Sequence, residues 1–213
     1  MKQLYSDLWQ TKIERPFAGL QTHAYFLQTP AANILIYNTG HVDEIDAFAD
    51  MGGIQYQLLS HRDEAGNSLS IIKQKFNSIL CCHKLEVPAI SSKCKPDVTF
   101  SEDKIFLAGV TVLHTPGHTV GSVSFLYDTP SGVRYLFTGD TLFQTHGEWR
   151  TMVFSTDDGS TDTLRNSLLI YRDLSPDIVF WSGSGGGDQS YEEVTGSMWR
   201  LVIDSAINQL AAI

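Results

Sequence analysis

The chain has 213 residues, of which 42% are apolar and 18% charged, with a net charge of −9. That length suffices for one domain, spanning 1–213, with a core that needs no staples, and the composition is that of an ordinary globular protein. The acidic balance argues against a generic partner of nucleic acid or anionic membrane, which would need a basic surface. No stretch approaches the ~20 apolar residues of a membrane span, and residues 1–9 carry charges where a signal peptide needs an apolar run. Cys81, Cys82 and Cys94 form neither a disulfide framework nor the paired spacing of a zinc ribbon. A reduced, cytoplasmic setting is therefore expected.

In chain order, residues 22–28 and 33–37 read as strands, rich in aromatic and β-branched residues and separated by Pro30. Residues 43–51 predict a helix stopped by Gly52-Gly53. Residues 55–59 read as a buried strand that delivers Ser60-His61-Arg62-Asp63-Glu64 at its end. Residues 67–76 read as a helix with Leu69, Ile72 and Phe76 on one side. Cys81, Cys82 and His83 are contiguous, which in a strand points their side chains apart, so packing is preferred to metal binding. Segments 98–100, 104–107 and 110–114 form a meander with turns at 101–103 and 108–109. His114 lies on its alternating pattern as a packing residue. Segments 122–127 and 134–137 flank the turn Thr129-Pro130-Ser131-Gly132 as a hairpin. Residues 161–174 read as a helix, 177–181 as a strand, and 191–210 as a closing helix with a Trp199, Ile203, Ile207, Leu210 stripe. Strands and helices in this order suggest two sheets stacked between outer helices.

Two loops carry the chemistry. In Thr115-Pro116-Gly117-His118-Thr119-Val120-Gly121-Ser122, proline and glycine make a tight loop that presents His118. In Phe137-Thr138-Gly139-Asp140-Thr141-Leu142-Phe143, a carboxylate sits just past a strand end. With His61 and Asp63 after the earlier strand, these are donor types that bind Zn²⁺ or Fe²⁺.

On these motifs the chain resembles the metallo-β-lactamase superfamily, in the flavour of its glyoxalase II and persulfide dioxygenase branch, from about Tyr25 to Glu193. The resemblance implies a four-layer αββα sandwich of the α+β class. It also implies one or two metals that activate water or bind a thiol-derived substrate. The family motif His-x-His-x-Asp-His reads here His61-Arg62-Asp63-Glu64-Ala65-Gly66, so Asp63 replaces the second histidine, Ala65 the aspartate and Gly66 the last histidine. Ser184 stands where a later Gly-His motif is usual. One metal site therefore keeps four potential ligands, His61, Asp63, His118 and Asp140. The second keeps Asp140 alone and is expected to be absent.

Glu64 is an alternative ligand should the loop rotate. His61, Asp63, His118 and Asp140 could equally form a metal-free polar cluster, with Arg62 and Arg150 as compensating cations. His146 and Ser184 are candidates for substrate binding, and His23 and His41 lie near strand ends that face the site in the family. Glycines 183–187 make no phosphate loop, because no Lys-Ser/Thr follows, but they can offer N–H groups to an anionic or carbonyl group. The leading reading is a hydrolase of a small-molecule ester or thioester with at most one Zn or Fe ion. The alternatives are a non-catalytic binding or regulatory member of the family, and a mononuclear-iron sulfur oxygenase. The sequence names neither the substrate nor the oligomeric state.

Overall fold

Alternation along the strands sorts the apolar side chains into layers. The structure, a computed structural model, describes residues 1–102, 104–186 and 189–211. Asp103 of the expected 101–103 turn, Gly187 of the glycine run and the neighbouring Asp188 lie outside the described residues. Among the described residues the first large sheet runs Lys2–Tyr5, Leu8–Gln10, Tyr25–Gln28, Asn33–Ile36, Tyr56–Leu58, Ile79–His83, Val98–Phe100. It is antiparallel as far as Asn33–Ile36 and parallel beyond it. The second runs Tyr191–Glu193, Ile178–Phe180, Arg134–Phe137, Val123–Asp128, Val110–His114, Lys104–Leu107.

Phe125, Tyr127, Phe137 and Phe180 of the second sheet join Tyr25, Ile34, Ile36 and Leu58 of the first in one core. Their strand neighbours Leu126, Leu136 and Val179 belong to another, with Leu164 and Leu168 of the helix Thr161–Asp173 and Trp199 and Ile203 of the helix Gly196–Leu210. On the first sheet Cys81 faces the central core. Leu80 and Cys82 pack outward against Leu69 of the helix Ser68–Phe76 and Ile90 of the helix Val87–Ile90. A period of two in each strand thus gives a helix layer, two sheets and a second helix layer, an αββα sandwich. Each fully buried aromatic of the central core, such as Phe137 stacked on Phe180 at 4.8 Å, contributes about 1.5–3 kcal/mol.

The expected closing helix 191–210 is corrected at its start. Tyr191–Glu193 pairs with Ile178–Phe180 as the edge strand, and the helix begins at Gly196. Free N–H and C=O groups on the neighbouring strand outweigh the local helical pattern here, and Thr195 then caps the helix by accepting the Met198 N–H. The expected strand 22–28 divides, because Gln21–Thr22 pairs with Gly183–Ser184 while Tyr25–Gln28 enters the main sheet. That division brings the 16–22 segment beside the loops of the second sheet. The hairpins Lys2–Tyr5 with Leu8–Gln10 and Phe143–Thr145 with Glu148–Arg150 carry no strong strand pattern and were not expected. No helix among the described residues is long and apolar enough to cross a membrane.

Candidate metal centre and its cleft

Three strand ends converge at one edge of the sandwich. Tyr56–Leu58 leads to His61, Val110–His114 to His118, and Arg134–Phe137 to Asp140. Two glycines permit the approach. Gly139 has φ +57°, and a Cβ there would fall 2.4 Å from Ser60 Oγ. Gly117 has φ +138°, and its Cβ would fall 2.3 Å from the Leu164 backbone. A side chain at Gly139 would push the Asp140 loop away from the Ser60–His61 loop, and one at Gly117 would push the His118 loop off the helix Thr161–Asp173.

Asp140 Oδ2 lies 3.5 Å from His61 Nε2 and 3.8 Å from His118 Nε2. Asp63 Oδ2 lies 3.9 Å and 3.8 Å from the same two nitrogens. The donor atoms of His61, Asp63 and His118 all fall within 4.8 Å of one another. The four residues singled out in the sequence are therefore brought together.

The tautomers follow from the neighbours. His118 Nδ1 lies 3.1 Å from the Met152 carbonyl. A carbonyl only accepts, so Nδ1 carries the hydrogen and Nε2 presents its lone pair. That Nε2 is buried and has no hydrogen-bond partner. Burial, reinforced by His61, pushes His118 down to about 4, so the ring is neutral at pH 7. His61 Nδ1 lies 2.9 Å from Ser60 Oγ and 3.3 Å from Glu64 Oε1, which turns its Nε2 to the same space. Burial disfavours the charged His61, but Asp140 and Glu64 outweigh it and hold the ring well above its ordinary value. Burial likewise opposes charge on Asp140, yet His61 holds that carboxyl down to about 2. Burial pushes Asp63 and Glu64 up.

Lone pairs and carboxylates that point at one space repel unless a cation sits among them. The separations exceed the ~2.7–3.2 Å of a good hydrogen bond. They lie nearer the ~3.3 Å between donors that surround a tetrahedral ion at ~2.0–2.1 Å. A proton on His61 would ease one contact and leave the His118 lone pair orphaned. The donor set fits a divalent ion.

The remaining candidates resolve differently. Glu64 does not present itself as a ligand, because its carboxylate accepts the Ser60 N–H at 2.8 Å and the Ser60 hydroxyl. Arg62 and Arg150 are not counter-ions of the cluster. Arg62 pairs with Glu86 and Asp157, and Arg150 with Glu148. Ala65, Gly66 and Ser184 line the cleft, where they offer a methyl group, a hydrogen and a hydroxyl. The Gly183 N–H is donated to Asp140 Oδ1 at 3.0 Å and the Gly185 N–H to Thr145 Oγ1 at 3.1 Å, so these two glycines serve the protein itself. His146 is exposed with its ring against Gly186, and it is not among the described residues that line the cleft. His23 and His41 lie within reach of the Thr11 and Ile13 carbonyls. His83 stacks on His114 at 4.2 Å.

Glu86 went unnoticed in the sequence. Fully buried, its carboxylate accepts from Arg62 N, Nε and Nη2 at 3.0, 2.6 and 3.1 Å, from Thr119 Oγ1 at 3.1 Å and from Gly121 N at 2.7 Å. It ties the His61–Asp63 loop to the His118 loop. A glutamate in a short helical segment gives no local hint of this, since all its partners are distant in sequence.

The cleft above the cluster encloses about 1110 Å³ and exposes Phe17, Ile71, Met152 and Phe154 around the polar centre. The sequence model of the metallo-beta-lactamase superfamily matches residues 60–183, the segment that carries every one of these ligands. The chain belongs to the metallo-β-lactamase superfamily. It is 30% identical over 129 residues to a hydroxyacylglutathione hydrolase of Bartonella henselae, a match that covers 59% of this chain and 46% of that protein. The chain thus spans about half the length of that curated relative. A crystal structure of TTHA1623 in a di-iron-bound form superposes with a TM-score of 0.68 at 25% identity, over 88% of this chain and 94% of that one. A metallo-beta-lactamase from Pontibacter korlensis superposes at 0.69 and 15% identity, over 95% and 97%, a likeness of fold alone.

Proposed function

We propose that this superfamily member is a hydrolase of a small-molecule ester or thioester that uses one divalent ion, Zn²⁺ or Fe²⁺, at His61, Asp63, His118 and Asp140. The observation that carries the reading is the buried, unpartnered Nε2 of His118, aimed at the same space as His61 Nε2 and both carboxylates. When bound, such an ion lowers the pKa of a water toward ~7 and polarises a carbonyl. The similarity to a hydroxyacylglutathione hydrolase supports acyl chemistry.

The chain's own residues prepare the site. The Met152 carbonyl and Glu64 hold the two imidazoles with Nε2 inward, as supporting partners of metal-binding histidines do. The Gly183 N–H prevents Asp140 from rotating. Phe154, 4.9 Å from the His118 ring, screens that imidazole from bulk water. Two carboxylates and two imidazoles make a set that is formally neutral with a divalent ion, which would take the place of the His61 proton. A second ion lacks donors, because Ala65 and Gly66 have none and Ser184 offers only a weak one.

Elemental analysis of protein purified without chelator, paired with a panel of esters and thioesters, tests the reading. About one ion per chain is expected, with turnover that disappears in His118→Ala and Asp140→Ala. Hydrolysis that survives both substitutions would sink the metal mechanism. Stoichiometric metal with no turnover on any ester would favour a binding or regulatory role.

A further inference from the structure

The walls of the cleft discriminate among substrates in a way the ligand set does not. Phe17 leaves 66% of its surface exposed, and Ile71, Met152 and Phe154 are exposed beside it. Large apolar groups gathered around a polar centre mark a place that an apolar ligand covers. Apart from His61 of the centre, the ionisable lining is acidic. Glu14 and Asp157 join the carboxylates of the centre, and among the described lining residues none is lysine or arginine.

Neither of the two arginines near it is among its described lining residues. Arg62 gives Nε and Nη2 to buried Glu86, and its Nη1 lies 3.4 Å from Asp157, so two carboxylates face one guanidinium. Arg15 does not line the main cleft but an adjoining hollow of about 250 Å³, which shares Phe17, Leu20 and Gly185 with it. A carboxylate or phosphate entering the main cleft would meet like charge in a half-enclosed, apolar space, where repulsion is far stronger than in water.

We propose that this cleft binds acyl compounds whose acyl portion is apolar and uncharged, tolerates a cationic group, and disfavours substrates that bear carboxylate or phosphate. The chemistry done on such a compound rests on the hydrolase reading; its selection rests only on the walls. Glutathione conjugates carry carboxylates and are accordingly poor ligands for this chain, in contrast to what the name of its half-matching relative would suggest.

Three dansyl-hexylamide probes of equal length, ending in methyl, ammonium or carboxylate, are titrated by fluorescence into the chelator-treated protein and into the protein with Zn²⁺ added. The methyl and ammonium probes are expected to bind about tenfold or more tightly than the carboxylate probe, and Glu14→Gln with Asp157→Asn to shrink that gap to about threefold. Carboxylate binding as tight as methyl binding in either form, no binding by any probe, or a gap unchanged in the double variant would each overturn the proposal. Because binding is read without turnover, the two readings fail separately. A neutral ester that binds tightly but is never cleaved would count against the hydrolase, while the preference of the cleft would stand.

Discussion

His118 and Glu86 show how much of the site is decided by single contacts. His118 is committed by one carbonyl, that of Met152, which dictates where its lone pair points. Glu86 is committed by five donors at once. Burial opposes its charge, but the hydrogen bonds and charge of Arg62 outweigh burial and hold the carboxyl below its ordinary value. A carboxyl held low in the folded chain contributes stability that is complete above the unfolded value of about 4.3 and is lost as pH falls through the lower folded value. Calorimetric melting of the unaltered chain should therefore fall more steeply below about pH 4 than that of Glu86→Gln. Parallel pH profiles would mean that the clamp is not charged as described. Glu86→Ala leaves the Arg62 guanidinium with only its longer pair to Asp157 and the N–H groups of Arg62 and Gly121 without their carboxylate, and should cost about 3–5 kcal/mol in urea unfolding.

At the scale of elements, strand ends deliver ligands and helices hold the strands in place. The helix Gly196–Leu210 is anchored on Thr161–Asp173 by fully buried Trp199, whose indole N–H donates to the Tyr171 carbonyl at 2.7 Å. Trp199→Ala removes that ring and its hydrogen bond, and should cost about 3–5 kcal/mol by denaturant titration, through loss of packing rather than of ligands. Gly139 belongs to the opposite case. Gly139→Ala puts a methyl group on Ser60 in a left-handed turn and drives the Asp140 loop from the His61 loop. Zinc affinity, followed by competition with a chromophoric chelator, should weaken about 10–100-fold, and unchanged affinity would show that the loops do not need this contact.

For the molecule as a whole, a ligand that binds only the folded state raises its stability. Metal at about a hundred times its dissociation constant adds about 2.7 kcal/mol, which in a chain of this size raises the melting temperature by roughly 5–11 °C. Thermal scans with chelator and with Zn²⁺ measure this directly. The expected rise disappears in His118→Ala, and a rise that persists there would locate the metal elsewhere.

Much was legible in the linear chain because its signals are local. Alternation in strands such as 123–128 writes two faces, Thr115-Pro116-Gly117-His118 and Thr138-Gly139-Asp140 mark loops at strand ends, and Ala65 and Gly66 show which donors are missing. The edge strand at Tyr191–Glu193 was not legible, because a strand there depends on an open neighbour rather than on its own pattern. The sequence alone determined the layered sandwich and the four candidate ligands, since periodicity and residue chemistry travel with the chain. Only the tertiary structure decided the inward lone pair of His118, the clamp at Glu86 and the acidic, apolar cleft. Each of these arises from groups far apart in sequence, and the energy of such contacts depends on distance and burial that no local pattern encodes.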